Sequence, residues 1–278
     1  MKLAKLFAYL TASITLFSTN LIAQERIVSI GGDVTEIIYA LNAEQQLVGR
    51  DSTSVIPERA KSLPDVGYMR QLNTEGILAL KPNKIIATQV AQPAVVFEQL
   101  KAAGVTVEQV PFKYSVESVV EKITRIGELL NKQPEAATLS EKFTNEMKMV
   151  DSSPRNVKVL FILTRSGHNQ MVAGADTVAD SAIKLVGAKN AMGNAARFVP
   201  ISQEGVIAAN PDLIVLTSLG VDSLGSVDKL WELPGIAHTT AGKKKQVVVV
   251  DDIAFLAFGL TIPQELHKMR QAVEKASQ

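Results

Sequence analysis

Residues 75–83 read Glu-Gly-Ile-Leu-Ala-Leu-Lys-Pro-Asn, and residues 204–212 read Glu-Gly-Val-Ile-Ala-Ala-Asn-Pro-Asp. The two stretches lie 129 residues apart and share four identities: Glu75/Glu204, Gly76/Gly205, Ala79/Ala208 and Pro82/Pro211. Each predicts a short helix that ends before proline, because proline lacks the amide hydrogen of a continuing helix. The apolar stretches that follow predict buried strands. The repeat indicates two related halves, although a recurring local helix–proline–strand motif would produce the same letters.

Short apolar stretches alternate with helical patterns on both sides of this repeat. The predicted strands are Arg26–Ile30, Gln46–Gly49, Lys84–Thr88, Val105–Val110, Val157–Thr164, Leu213–Thr217 and Gln246–Val250. The predicted helices among them are Val34–Leu41, Thr74–Leu80, Pro93–Ala103, Thr177–Val186 and Ile262–Ala276. Such alternation is typical of an α/β fold with parallel strands.

Helical periodicity also fills the middle of the chain, over Val116–Leu130 and again over Glu135–Val150, with an interruption at Asn131–Pro134. We therefore predict an α/β protein of two Rossmann-like lobes joined by a long helix, with a ligand cleft between the lobes. The predicted boundaries are 24–115 for the N-terminal lobe, 116–152 for the connecting helical segment and 153–278 for the C-terminal lobe.

The first 23 residues have the pattern of a secretory signal peptide. Lys2 and Lys5 precede the mostly apolar stretch Leu6–Phe17, and small residues lead to a predicted cleavage after Ala23. The apolar stretch is shorter than the ~20 residues that cross a bilayer. We therefore expect an exported periplasmic protein with no membrane insertion after signal removal, and an amphipathic cytosolic helix is the alternative. No cysteine follows the stretch to carry a lipid.

Composition excludes several classes of function. The chain has 278 residues, with 29 basic and 28 acidic residues and no cysteine. The near-zero net charge argues against nucleic acid as the main partner, since phosphate binding needs a basic surplus. The lack of cysteine excludes disulfides, thiolate zinc sites and cysteine nucleophiles. No Gly-x-Ser-x-Gly or phosphate-binding glycine motif is present, so we predict a protein that is not an enzyme.

One loop, residues 66–72, combines an aromatic, a thioether and a cation: Val-Gly-Tyr-Met-Arg-Gln-Leu. In an extended chain Tyr68 and Arg70 point to the same side. A guanidinium beside a phenol favours the phenolate, and tyrosinate is a known protein ligand of haem iron. The alternative is a packing tyrosine beside a solvated arginine.

A second loop, residues 164–171, follows a predicted strand of the second half, at an end where α/β ligand sites gather. It contains Arg165 and His168, and the His168 imidazole is a candidate ligand for a metal or haem. A surface histidine is the alternative. We interpret His238 and His267 as structural.

Glu75 and Glu204 lie near predicted helix starts, where the helix dipole favours a carboxylate by ~0.3–1 kcal/mol. That effect alone explains both residues. The functional alternative is docking, in which one acidic residue on each lobe contacts a basic pocket on a two-fold partner.

These features resemble the bacterial periplasmic haem-binding proteins, the substrate-binding components of haem ABC importers. The resemblance covers nearly the whole chain after residue 23. It rests on residues 29–37 (Ser-Ile-Gly-Gly-Asp-Val-Thr-Glu-Ile), 67–72 and 75–82, and on Asn190-Ala191. The wider superfamily binds cobalamin and ferric siderophores, so only the Gly-Tyr-Met-Arg-Gln-Leu segment favours haem.

The resemblance implies a role for each candidate. Tyr68 would be the axial ligand to ferric haem, Arg70 would donate a hydrogen bond to its oxygen, and His168 would be a second axial ligand. Arg165 is a candidate contact for a haem propionate. Glu75 and Glu204 would dock the two lobes onto the permease dimer at the inner membrane. The resemblance further implies a monomer with only modest lobe closure.

Three rival functions remain at this point. A ferric-siderophore or cobalamin carrier would share the fold. An exported α/β hydrolase would need a recognisable nucleophile–base pair, which the sequence lacks. A carrier of bare metal ions would need several histidine or carboxylate ligands.

Overall fold

The structure, a computed structural model, describes residues 25–278. The predicted signal peptide lies outside these residues. The N-terminal part contains β1 (Ile27–Ile30), α1 (Gly32–Ala40), β2 (Leu47–Arg50), α2 (Thr74–Leu78), β3 (Lys84–Thr88), α3 (Ala94–Ala102) and β4 (Thr106–Val110). Its four strands are all parallel, in the order β2-β1-β3-β4. This lobe has the predicted α/β class.

Two helices follow, α4 (Val116–Leu129) and α5 (Gln133–Lys148). They are separated at the interruption that the sequence indicated, so the connection is a pair of helices rather than one continuous rod. The pair packs closely, because a Cβ on Gly127 would lie 2.4 Å from the Ala136 Cβ. Any larger residue at position 127 would force the two helices apart.

The C-terminal part contains β5 (Lys158–Leu163), β6 (Met171–Ala173), α6 (Val178–Leu185), β7 (Lys189–Asn190), β8 (Phe198–Pro200), α7 (Gln203–Ala209), β9 (Leu213–Thr217), α8 (Ser218–Leu224), α9 (Thr240–Lys244), β10 (Val247–Val250), α10 (Asp252–Ala257) and α11 (Ile262–Ala276). The strand order is β10-β9-β5-β6-β8, and β7 pairs with β5. The predicted strands β5, β9 and β10 are parallel, whereas β6 and β8, which the sequence did not predict, run antiparallel to their neighbours. These two antiparallel strands have only three residues each, too few for a periodic pattern to predict.

The repeat in the sequence is also a repeat in the structure. Asn73 caps α2 by accepting a hydrogen bond from the Gly76 N–H, and Ser202 caps α7 in the same way through Gly205. Lys81 and Asn210, which precede the two prolines, both have a left-handed backbone. A strand begins two residues after each proline, β3 in the first copy and β9 in the second. In both sheets this strand is central to a parallel trio, β1-β3-β4 in one and β5-β9-β10 in the other.

A continuous hydrophobic core joins the two lobes. Apolar side chains from both sheets, from α4 and α5 and from α11 belong to the same cluster, among them Ile86, Ile126, Phe143, Phe161 and Leu266. Each of these residues is at most 2% exposed. Separating the lobes would expose this apolar surface, which is unfavourable by roughly 25 cal/mol per Å².

Candidate functional site

A cavity of about 360 Å³ lies between the two lobes. The N-terminal lobe and the segment before α4 contribute Gly32, Asp33, Thr53, Tyr68, Met69, Arg70, Phe112 and Tyr114 to its lining. The C-terminal lobe contributes Leu163, Arg165, Val178, Phe198, Asp252, Ile253, Leu256 and Ala257. The walls are thus mostly aromatic and aliphatic, with a few polar groups, as is usual for a small-molecule site.

A second, more open cavity of about 570 Å³ adjoins the first. Its lining consists of Tyr68, Arg165, Ser166, His168, Leu219, Asp222 and Ser223. Tyr68 and Arg165 line both cavities, so the two spaces form one cleft that is divided at these side chains. All four cargo-binding candidates from the sequence, Tyr68, Arg70, Arg165 and His168, line this cleft.

The Tyr68 loop is anchored by buried residues at both ends, while the side chains of Tyr68, Met69 and Arg70 line the cleft. The flanking residues Val66 and Leu72 are buried, whereas Tyr68 is 42% exposed. The Gln71 N–H donates to the Tyr68 carbonyl over 2.8 Å, so residues 68–71 form a turn. The loop is therefore not extended, and the turn brings both Tyr68 and Arg70 to the first cavity. A tyrosine packed in the interior is excluded.

Arg165 already has an anionic partner. Its Nη2 lies 2.8 and 2.9 Å from the two carboxylate oxygens of Asp252, and its Nη1 donates to the Thr164 carbonyl over 3.1 Å. The sequence did not reveal this pair, because Asp252 is 87 residues away and lies at the start of a helix that was not predicted. The positive charge of Arg165 is thus largely matched within the protein.

His168 is exposed on the loop after β5. Its backbone N–H donates to the Arg165 carbonyl over 3.0 Å, which forms a tight turn. The residue lines the second cavity but not the first. His238 and His267 line neither cavity.

An aromatic pair after β4 was missed by the sequence reasoning. The Phe112 and Tyr114 rings meet edge to face with their centroids 5.2 Å apart, and Tyr114 also meets Phe258 at 6.1 Å. Both residues line the first cavity. The only signal in the sequence was an aromatic at every second position in residues 112–114, beginning two residues after the end of a predicted strand.

Two buried carboxyl groups lie at or behind the wall of the first cavity. Asp33 forms an ion pair with Lys122, and both side chains are at most 3% exposed. Glu36, one turn further along α1, accepts a hydrogen bond from the Leu260 N–H over 2.9 Å and so links the two lobes. Burial raises the pKa of Glu36 to about 7, and the nearby Asp33 carboxylate adds to the increase.

Glu75 and Glu204 lie away from both cavities, each exposed in the first turn of its helix, α2 or α7. They occupy equivalent positions in the two copies of the repeat. Each lobe therefore presents one carboxylate from the same structural context.

Across residues 25–278, no group of three or more histidine, cysteine or carboxylate side chains lies together in a way that could hold a metal ion. Within the same range, every helix is too short or too polar to cross a bilayer.

Solved structures with this architecture include two haem-binding proteins. The periplasmic heme-binding protein RhuT from Roseiflexus sp. RS-1 is 35% identical, with a TM-score of 0.87 over 92% of this chain and 100% of that chain. The periplasmic heme-binding protein BhuT, solved in complex with two hemes, is 33% identical, with a TM-score of 0.86 over 91% of this chain and 99% of that chain.

Curated relatives are more distant in sequence. An uncharacterized ABC transporter substrate-binding lipoprotein, YvrC of Bacillus subtilis (strain 168), is 29% identical over 69% of this chain. The alignment spans 63% of the length of that relative. The vitamin B12-binding protein of Yersinia pestis (strain Pestoides F) is 27% identical over 75% of each chain. A family model described as periplasmic binding protein matches residues 27–254, nearly all of the two lobes. The chain therefore belongs to the periplasmic binding protein family.

Proposed function

We propose that this protein binds ferric haem in the interlobe cleft and delivers it to an ABC permease for uptake. The observation that carries the proposal is the position of Tyr68, whose phenol is partly exposed on the wall of a mostly apolar cavity, with Arg70 on the same wall. The haem-binding proteins RhuT and BhuT, which share this architecture, support it.

The cleft suits the chemistry of this cargo. Haem is a flat apolar ring with ferric iron at its centre and two carboxylates at its edge. The aromatic and aliphatic walls bury the ring, and a phenolate oxygen from Tyr68 coordinates the iron. A protein that carries rather than transforms its cargo needs no nucleophile or general base, so we infer that it is not an enzyme.

His168 and Arg165 have secondary roles in this proposal. His168 lines the second cavity, which adjoins Tyr68, and we assign it as a second axial ligand. A propionate contact by Arg165 is compatible with its position in the cleft. It requires that the guanidinium be shared between the propionate and Asp252.

Delivery requires a docking surface, and we assign this role to Glu75 and Glu204. They are exposed, acidic and equivalent in the two lobes, which matches a permease built from two related subunits. The cleft is complete within one chain, so a monomer is sufficient. Delivery to such a permease is consistent with the periplasmic location that the signal peptide predicts.

Cobalamin is the second candidate cargo, because a curated relative is a vitamin B12-binding protein. Ferric siderophores remain the third. Separate titrations with ferric haem, cobalamin and a ferric siderophore distinguish these cargoes, and a titration with zinc tests for a carrier of bare metal ions. We expect a saturable change in the Soret band with a defined stoichiometry for haem. Saturable binding of cobalamin or the siderophore, without a Soret response to haem, would overturn the proposal.

A further inference from the structure

Most polar side chains on the first cavity already have a partner within the protein. They pair as follows: Asp33 with Lys122, Thr53 with Asp51, and Arg165 with Asp252. Three are different. The hydroxyls of Tyr68 and Tyr114 and the guanidinium of Arg70 form no hydrogen bond or ion pair with any other side chain or backbone group in the range 25–278. Their hydrogen-bonding capacity is therefore available to a ligand.

The Tyr114 ring is fixed in place by aromatic neighbours from both lobes. It meets Phe112 edge to face with a centroid separation of 5.2 Å and an interplanar angle of 82°. On its other side it meets Phe258, which follows α10, at 6.1 Å and 69°. A ring held in this way keeps its hydroxyl at a defined position on the cavity wall, which is what a selective contact requires.

The two cleft tyrosines are suited to different tasks. Burial raises the pKa of Tyr114, and the positive charge of Arg70 only partly opposes the increase. The Tyr114 hydroxyl therefore stays protonated at neutral pH and acts as a hydrogen-bond donor. A neutral phenol of this kind is a poor ligand for ferric iron, whereas it is a good partner for an anionic oxygen.

We propose that Tyr114 is a specificity-determining residue, whose hydroxyl donates a hydrogen bond to a carboxylate of the cargo beside the guanidinium of Arg70. This inference rests on the proposed function and adds to it the recognition of the carboxylate edge of the ring. Arg70 supplies the unmatched positive charge, and Tyr114 supplies a donor in a fixed orientation.

The surrounding charges favour a carboxylate over a neutral group at this position. The carboxylates of Asp33 and Asp252 are each paired with a cation, so they offer little repulsion to an incoming anion. Arg70 has no such anion within the described chain. A carboxylate is purely an acceptor when ionised, and both groups that face it are donors.

The test compares ferric haem with its dimethyl ester, in which both carboxylates are blocked, in one detergent-containing buffer. The proteins are the wild type, Tyr114→Phe, and the control Tyr39→Phe, which removes a hydroxyl from α1 at a site that lines neither cavity. Tyr114→Phe keeps the ring and its aromatic contacts, and thermal unfolding checks that it folds.

We expect Tyr114→Phe to weaken haem binding by about tenfold or more, as is typical for a lost hydrogen bond to a charged group. Its haem spectrum should match that of the wild type, because the iron ligand is unchanged. Tyr39→Phe should bind haem normally, and wild type and Tyr114→Phe should bind the dimethyl ester equally.

Three results would overturn the inference: unchanged haem affinity in Tyr114→Phe, an equal loss of affinity for haem and for its ester, or wild-type binding of both ligands with the same affinity. In each case the wild type would still bind haem, so the proposed function would stand. If the wild type gave no saturable Soret change, the proposed function would fail and this inference with it.

Discussion

At the scale of single residues, the cleft depends on two phenols in different environments. Tyr68 is on a turn, partly exposed, and lines both cavities, whereas Tyr114 is wedged between aromatic rings. The sequence indicated Tyr68 as a candidate site residue, because it lies in a loop with a nearby cation. It did not indicate Tyr114, because an aromatic residue after a strand usually belongs to the core.

Tyr68→Phe should lower the affinity for ferric haem by roughly a hundredfold, since the loss of an anionic ligand to the iron costs a few kcal/mol. The variant should also lose the absorbance bands of a phenolate–iron complex, because the ring remains but its oxygen does not. Spectrophotometric titration measures both effects. Tyr39→Phe is the matched control, and wild-type affinity with an unchanged spectrum in Tyr68→Phe would remove this residue as the ligand.

At the scale of helices and strands, the repeat was the most informative part of the sequence. It predicted β3 and β9 with the bounds that the structure has, because proline and an apolar stretch are strong local signals. The antiparallel strands β6 and β8 and the helix α10 were not predicted, because they are short and depend on tertiary pairing. The Arg165–Asp252 pair was hidden for the same reason, since it depends on where α10 packs.

The two repeat helices also predict how the carrier docks. Reversing the charge at both sites, Glu75→Lys with Glu204→Lys, should abolish most haem transport through a reconstituted permease and leave haem affinity within about twofold, because neither residue lines the cleft. The control reverses Glu117, an exposed residue on α4 outside both repeat helices. Normal transport by the purified double variant would contradict the docking assignment.

At the scale of the whole molecule, the lobes are joined by more than the α4–α5 pair. The hydrophobic core is continuous across them, and the hydrogen bond from Leu260 to Glu36 adds a polar link beside the cleft. A Cβ on Gly259 would lie 2.4 Å from a Glu36 carboxylate oxygen, so this contact leaves no room for a side chain. These contacts between the lobes are consistent with small rather than large movements of the lobes during binding.

The link through Glu36 predicts a specific dependence of stability on pH. Its pKa is about 7 in the folded protein against an ordinary 4.5, so the folded state binds this proton more tightly than the unfolded state. The stabilisation that comes from protonated Glu36 is therefore fully present below pH 4.5 and is lost as the pH rises through 7. Glu36→Gln keeps an acceptor for Leu260 and removes the charge.

We expect the free energy of unfolding of Glu36→Gln to equal that of the wild type near pH 4 and to exceed it by about 3 kcal/mol above pH 7.5. Urea unfolding at a series of pH values measures the difference. A difference that stays constant from pH 4 to pH 8 would show that Glu36 does not titrate in this range.

The most direct test of haem binding in the interlobe cleft is a crystal structure of the protein with ferric haem bound. We predict iron between the two lobes, with the phenolate oxygen of Tyr68 as an axial ligand and the porphyrin ring against the aromatic wall. Iron coordinated by another residue, or haem bound outside the interlobe cleft, would contradict it.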